Sequence, residues 1–395
     1  MNPDPSTPGL GSAHRVGAAE LFFDLVFVFA FTQVTTLLAA QPTPLGFLHG
    51  LIVFALLWWA WSSFAWLTNA RGADSTVMRL MLLAGMAGML VVGLAVPTAF
   101  TSGALLVALG ITVTRVVWIV AYQHASKEDP GYAAAVRRLS VGAVIIPVAL
   151  IAGALLGSPL QLWIWAAAVL FDLATPILAR PRGWKVDPQH FSERYGLIII
   201  IALGEAVVAI GLATASAQTQ TPAWFAIVGS LVGLAIAALM WTLYFSHLAE
   251  AGELALHATD GIARTLIARD AYTYGHLLPV AGIVMTALGA KEIMLGPGDA
   301  VLPVVLVSLC LGAATYICGC ALIAWRVDRV AWTSAWVIGG TLAMLGLAGV
   351  PSWINGDEQV PWAPLPGVPM LGVIAAALAV VAALKPSRWR TTAAR

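Results

Sequence analysis

Apolar runs of about twenty residues or more recur along the whole chain, centred near Val28, Leu57, Met89, Val113, Pro147, Val169, Leu203, Ile236, Gly282, Leu311, Thr341 and Leu378. At 1.5 Å per residue, about twenty helical residues cross a hydrocarbon core roughly 30 Å thick. Helix is the state expected for every run, because backbone amides in lipid must be satisfied within the segment. Composition points the same way. Of 395 residues, 60% are hydrophobic and 10% charged, whereas an ordinary globular domain carries about a quarter charged residues. So few charges cannot cover a water-soluble surface.

Breaks at Pro, Gly and charge clusters divide the chain into about twelve spans. Of the Lys and Arg residues, all but Lys291 and Arg115 fall at the termini or in alternate connections. Arg15, Arg71, Arg79, Lys127, Arg180, Lys185, Arg264, Arg326 and Lys385 are among them. By the positive-inside rule these positions share the cytoplasmic face, with both termini on it. The first thirteen residues are polar and Pro-rich and the first apolar run is long enough to span, so no cleaved leader is expected.

The chain also reads as two similar halves, 14–184 and 190–389, of six helices each. Glu20 opens the first span and Glu193 the seventh. Arg79 precedes the third span and Arg269 the ninth. Arg180-Pro181 with Trp184 matches Lys385-Pro386 with Trp389. Six spans per half preserve orientation, so the repeat is a parallel one about an axis along the membrane normal. The fold class expected is an all-α integral membrane protein built on that repeat.

Ionisable side chains at membrane depth are expensive, and each marks a candidate functional position. Glu20 and Asp24 are four residues apart and so share a helical face. Asp172 lies about 12 Å before the end of its span, and His276 is placed at a similar level. Glu205 and Arg115 reach the middle of the bilayer from opposite directions. An ion pair between them, or between each and another polar group, lowers the cost of both charges. By the repeat, Asp24 corresponds to Leu197 and Thr32 to Glu205, so neither carboxylate is duplicated. The path expected for a solute or ion is therefore Asp24, Arg115, Asp172, Glu205 and His276.

Other features read as structural. Trp58, Trp59, Trp61, Phe64 and Trp66, with Trp241, Tyr244 and Phe245, fit aromatic belts at the membrane surface. Gly153 to Gly157 and Gly229 to Gly233 fit close helix packing. Cys310, Cys318 and Cys320 lack the spacing of a zinc site or a disulfide framework. No metal site and no cofactor fingerprint is expected. A formal charge of +1 without a basic face excludes nucleic acid as a partner. The partners expected are the lipid bilayer and a small solute or ion, and the oligomeric state is left open, a homo-oligomer included.

The segments Glu20-Leu-Phe-Phe-Asp-Leu-Val-Phe-Val-Phe-Ala-Phe-Thr-Gln33 and His190-Phe-Ser-Glu-Arg-Tyr-Gly-Leu-Ile-Ile-Ile-Ile-Ala-Leu-Gly-Glu205 closely resemble the bacterial low-temperature requirement protein A family. The resemblance implies a multi-pass protein of the bacterial inner membrane. It also draws attention to Glu20, His190, Glu193 and Arg194, to which it assigns no chemistry. Three functions fit. The leading one is a transporter or channel-like protein for a small solute, ion or proton. The others are a membrane-embedded enzyme acting on a lipid or isoprenoid, and a structural or sensory protein of cold adaptation.

Overall fold

A computed structural model describes residues 16–73, 75–127, 129–178, 182–216, 223–296, 301–355, 367–384 and 386. Arg15, Asp74, Arg180, Pro181, Lys385, Arg388, Trp389, Arg390 and Arg395 lie outside the described residues. The described chain is all-helical: α1 Ala18–Ala40, α2 Pro44–Arg71, α3 Thr76–Ala95, α4 Ala104–Ala125, α5 Pro130–Leu156, α6 Leu160–Leu178, α7 Pro188–Ser216 and α8 Ala223–Phe245. Then follow α9 Leu248–His257, α10 Gly261–Ile267, α11 Leu277–Leu295, α12 Pro303–Asp328, α13 Thr333–Ala348, α14 Val350–Asn355 and α15 Gly367–Ala383. A π-helical stretch, Ala268–Tyr274, follows α10.

Among the described residues, eleven helical segments are long and apolar enough to cross a membrane. The expectation of about twelve is met short by one. The twelfth, α15, has 17 described residues, about 25 Å of helix, at the short end of the range that spans. Large apolar side chains are exposed along the spans. Leu94 and Leu170 are both 67% exposed, which suits acyl chains and not water.

Helix starts follow local chemistry. Thr43 accepts the Gly46 N–H ahead of α2, Ser75 accepts that of Met78 ahead of α3, and Asp129 accepts that of Tyr132 ahead of α5. Each satisfies a backbone donor that the first turn leaves orphaned. Pro44, Pro130 and Pro188 stand at the first helical position, where no N–H is needed. Gly72 and Gly157 end α2 and α5 at φ of 67° and 69°, a conformation that glycine reaches without steric cost.

Within the bundle, α3 crosses α4 at Gly88 and Gly110, and α11 crosses α12 at Gly282 and Gly312. A Cβ on Gly88 would stand 3.2 Å from the Gly110 carbonyl and 2.7 Å from Thr114 Oγ1. One on Gly282 would stand 2.7 Å from the Gly312 carbonyl and 2.6 Å from the Tyr316 amide. Backbone meets backbone at both crossings, the arrangement small residues permit in membranes. Three of the four glycines expected at close packing also lie tight against a neighbouring helix, though against its side chains. Gly153, Gly229 and Gly233 face the side chains of Trp165, Met294 and Ile210, and Gly157 has nothing within 4 Å.

At one end of the bundle the connections are tied together. Lys185 pairs with Asp129 at 2.6 Å, and this contact holds the Asp129 carboxyl below its ordinary range. Arg138 donates to the Arg182 carbonyl at 2.5 Å, and Arg264 to that of Val186 at 3.2 Å. Asn69 exchanges hydrogen bonds with the Asp187 backbone at 3.0 Å. The loops read as basic and same-sided thus meet one another.

Candidate functional site

Glu20, Asp24, His190 and Arg194 are brought together across α1 and α7 although the pairs are some 170 residues apart in sequence. The Arg194 guanidinium donates from Nη1 to Glu20 Oε1 at 2.8 Å and from Nη2 to Asp24 Oδ1 at 2.7 Å, and all three residues are at most 1% exposed. Thr68 on α2 also lies against Nη1, and the Trp61 indole donates to Asp24 Oδ1 at 2.8 Å. Glu20 Oε2 accepts the Gly17 N–H and lies 3.1 Å from His190 Nε2. Since the Asn69 amide lies 3.3 Å from His190 Nδ1 and donates to it, Nε2 carries the hydrogen given to Glu20. Charge-assisted bonds of this kind hold three helices at a fixed register. One guanidinium faces two carboxylates here, and Asp24 Oδ2 and Arg194 Nε are buried without partners among the described residues. Glu193 lies beside this cluster, where it accepts the Val16 N–H at 3.2 Å.

A second buried ion pair joins α4 to α6. Arg115 donates from Nη1 to Asp172 Oδ1 at 3.2 Å and from Nη2 to Asp172 Oδ2. Its partner is thus Asp172 and not Glu205. α4 and α6 pack around α2, so Arg115 and Asp172 meet, whereas matching depth alone had favoured Glu205. The pair lies in the wall of a cleft open to the outside, whose empty space is about 730 Å³ when the solvent at its mouth is included. Trp59 and Trp66 of α2, Trp118 and Tyr122 of α4, and Trp184 supply its aromatic lining, with Arg269 and Thr265 from the α10 side. Arg269 pairs with Asp270 at 2.7 Å, and Asp270 in turn pairs with Arg326 at 3.1 Å.

The remaining expected path residues lie elsewhere. His276 is fully enclosed: Nδ1 lies 2.9 Å from the Ala271 carbonyl and Nε2 2.7 Å from the Tyr244 hydroxyl. Glu205 is half-buried, with no hydrogen-bond or ionic partner among the described residues. It lines a smaller cleft between α1, α7 and α11 with Thr32, Thr35 and Ile283. Asp24, Glu205 and His276 do not line the aromatic cleft, so the five positions do not face one cavity.

Several contributors carry no charge signal in sequence. Thr273, in the π-helical stretch, takes the Trp58 indole on its carbonyl at 2.9 Å and the Trp66 indole on its hydroxyl at 2.8 Å. Tyr195 lies 3.1 Å from both the Thr273 and the Ser62 hydroxyls. Trp58 and Trp61, expected at the membrane surface, are instead fully buried, because their N–H groups have partners inside the bundle. A π-helical turn widens the ring of a helix and frequently marks a functional segment. Here it places Thr273 between the ion cluster and the cleft. Cys310 and Cys320 are buried, Cys318 is half-buried, and all three are free thiols. No group of three or more His, Cys, Asp or Glu among the described residues is placed to hold a metal ion.

A bundle of apolar helices with two buried ion clusters and an open aromatic cleft is a multi-pass membrane protein with polar machinery inside the bilayer. The profile of the bacterial low temperature requirement A protein (LtrA) family matches residues 15–384, and the chain belongs to that family. It is 31% identical over 282 residues to an uncharacterised protein of Rhizobium meliloti (strain 1021), which covers 68% of this chain and 67% of the relative.

Proposed function

We propose that this protein is a transporter of a small solute in the bacterial inner membrane, and that the aromatic cleft is its binding site. The observation that carries the reading is the Arg115–Asp172 pair. Two charges held in the wall of a cleft within the span region are costly, and a purely structural contact has no need of an open volume beside it. The cleft is concave and largely apolar with a few convergent polar groups, the usual character of a small-molecule site. Glu205, the unpaired carboxylate of the α1–α7–α11 seam, is assigned to the coupling-ion side of the path. Asp24 and His276 are assigned to the packed layers that position it.

We place the cleft between two six-helix halves, 14–184 and 190–389, in parallel repeat, with both termini cytoplasmic. The matching glycine crossings, Gly88 with Gly110 and Gly282 with Gly312, support that arrangement. So does the shared cleft of Thr32 and Glu205, the positions the repeat equates. The meeting of the basic connections at one end supports the sidedness. A lipid-enzyme reading needs paired carboxylates as acid and base; the close pair on α1, Glu20 and Asp24, is clamped by Arg194 and does not line the cleft.

The test is a charge swap. The double variant Arg115→Asp/Asp172→Arg keeps an ion pair between α4 and α6 and moves the guanidinium to the other wall. Proteoliposomes loaded with a panel of labelled organic anions, cations and neutral solutes report flux. A transport site predicts folded protein with wild-type flux lost. Full flux in the swapped variant makes the pair structural and removes the assignment.

A further inference from the structure

Resting on the reading of the cleft as a binding site, we infer that it takes an organic monocarboxylate with a flat, apolar body. The inference starts from the shape of a guanidinium, which offers two forks for a carboxylate. One is end-on between the two Nη atoms, and the other is side-on, from Nε–H and the neighbouring Nη–H. Asp172 occupies the end-on fork, bonding Nη1 with one oxygen and Nη2 with the other. The side-on fork is unused among the described residues: Arg115 Nε is buried and has no hydrogen-bond partner there, in a residue 6% exposed. A second carboxylate completes that donor set on displacing the side chains that cover Nε, while Asp172 holds the guanidinium in place.

Charge selects the sign of the ligand. Arg115 and Arg269 line the cleft against the single carboxylate of Asp172, and Asp270 beside it is divided between Arg269 and Arg326. The hydroxyls of Ser63 and Thr175 give their hydrogens to carbonyls of their own helices, those of Trp59 and of Phe171 and Asp172. Ionic donors in the cleft thus belong to arginine. Tryptophan walls also suit a quaternary ammonium ion, but the carboxylate such a cation needs has both oxygens engaged by Arg115. The walls then supply flat apolar surface for the body of the anion. Trp59, Trp66, Trp118 and Trp184 line the cleft with aromatic surface at little cost in side-chain order.

Three probes of one shape separate the alternatives: labelled benzoate, benzylammonium and benzyl alcohol, each titrated against the full chain in nanodiscs. Benzoate is expected to bind at least about tenfold more tightly than either of the others, through one additional charge-assisted pair. The double variant Arg115→Gln/Asp172→Asn, which keeps hydrogen bonding without charge, is expected to lose that tenfold preference. Trp118→Leu is expected to weaken benzoate and benzyl alcohol alike. Benzylammonium or benzyl alcohol bound as tightly as benzoate overturns the anion assignment and leaves the cleft a binding site. Benzoate preference unchanged in the neutral double variant overturns the role of Arg115. Binding of none of the three overturns the ligand class, while the charge-swap flux decides the transport reading separately. Anionic-lipid nanodiscs that compete benzoate away assign the site to a lipid headgroup and overturn the assignment to a free carboxylate.

Discussion

Replacing Arg194 by methionine removes the one cation from a cluster in which Glu20 is 1% and Asp24 0% exposed. Methionine fills much of the same volume, so the main loss is electrostatic. Glu20 keeps the Gly17 N–H and His190, while Asp24 keeps only the Trp61 indole. Removing one partner of a buried ion pair costs about 3–5 kcal/mol, because the other charge stays behind without compensation. That is a loss on the order of a hundredfold or more in the folded population. The three cysteines give a built-in assay, since two are buried and one half-buried in the folded chain. A thiol-reactive dye added during heating reports the temperature at which they become accessible. Arg194→Met is expected to lower that temperature sharply. The triple variant Glu20→Gln/Asp24→Asn/Arg194→Gln carries no charge and is expected to recover most of the loss. A single variant as stable as wild type, or a triple variant no better than the single, would refute the electrostatic account of the cluster.

Other substitutions probe separate parts of the molecule. Gly282→Ala sets a Cβ 2.6 Å from the Tyr316 amide and is expected to cost about 1–3 kcal/mol by overpacking. Gly88→Ala meets first a threonine hydroxyl and is expected to cost less, and the same dye assay ranks the two. Tyr244→Phe deletes the hydroxyl that lies 2.7 Å from His276 Nε2 and leaves that buried nitrogen unpaired, with an expected loss of about 1–3 kcal/mol. Glu205→Gln removes a charge that has no partner among the described residues, so thermal stability is expected to hold while solute flux is lost. A marked fall in stability would show that Glu205 is structural.

What the sequence made legible was set by chemistry that acts over single segments. Apolar run length and the Thr43, Ser75 and Asp129 caps determine where helices lie. The charges of Glu20, Asp24, Arg194 and Arg115 stand out against apolar neighbours. Depth along a helix also follows from residue counting. Which helix stands beside which does not, and this is why Arg115 was matched to Glu205 by depth while α6 brings Asp172 to it. The same gap hid the roles of Trp58 and Trp61. A tryptophan at a span end and one bonded to a neighbouring helix look alike in sequence, and the partners Thr273 and Asp24 come from distant segments. The cleft itself is assembled from α2, α4, α6, Trp184 and the segment after α9, so no local pattern could announce it.

Whether the cleft carries solute across the bilayer can be read from the faces that reach it and from protection by benzoate. Ser63 lines it, and a single Ser63→Cys reporter in a background with Cys310, Cys318 and Cys320 replaced by alanine can be challenged with a membrane-impermeant thiol reagent. Right-side-out and inside-out vesicles present the two faces separately. A transport cleft predicts modification from both faces, with both rates lowered by bound benzoate. Modification from one face only, unaffected by benzoate, contradicts the account.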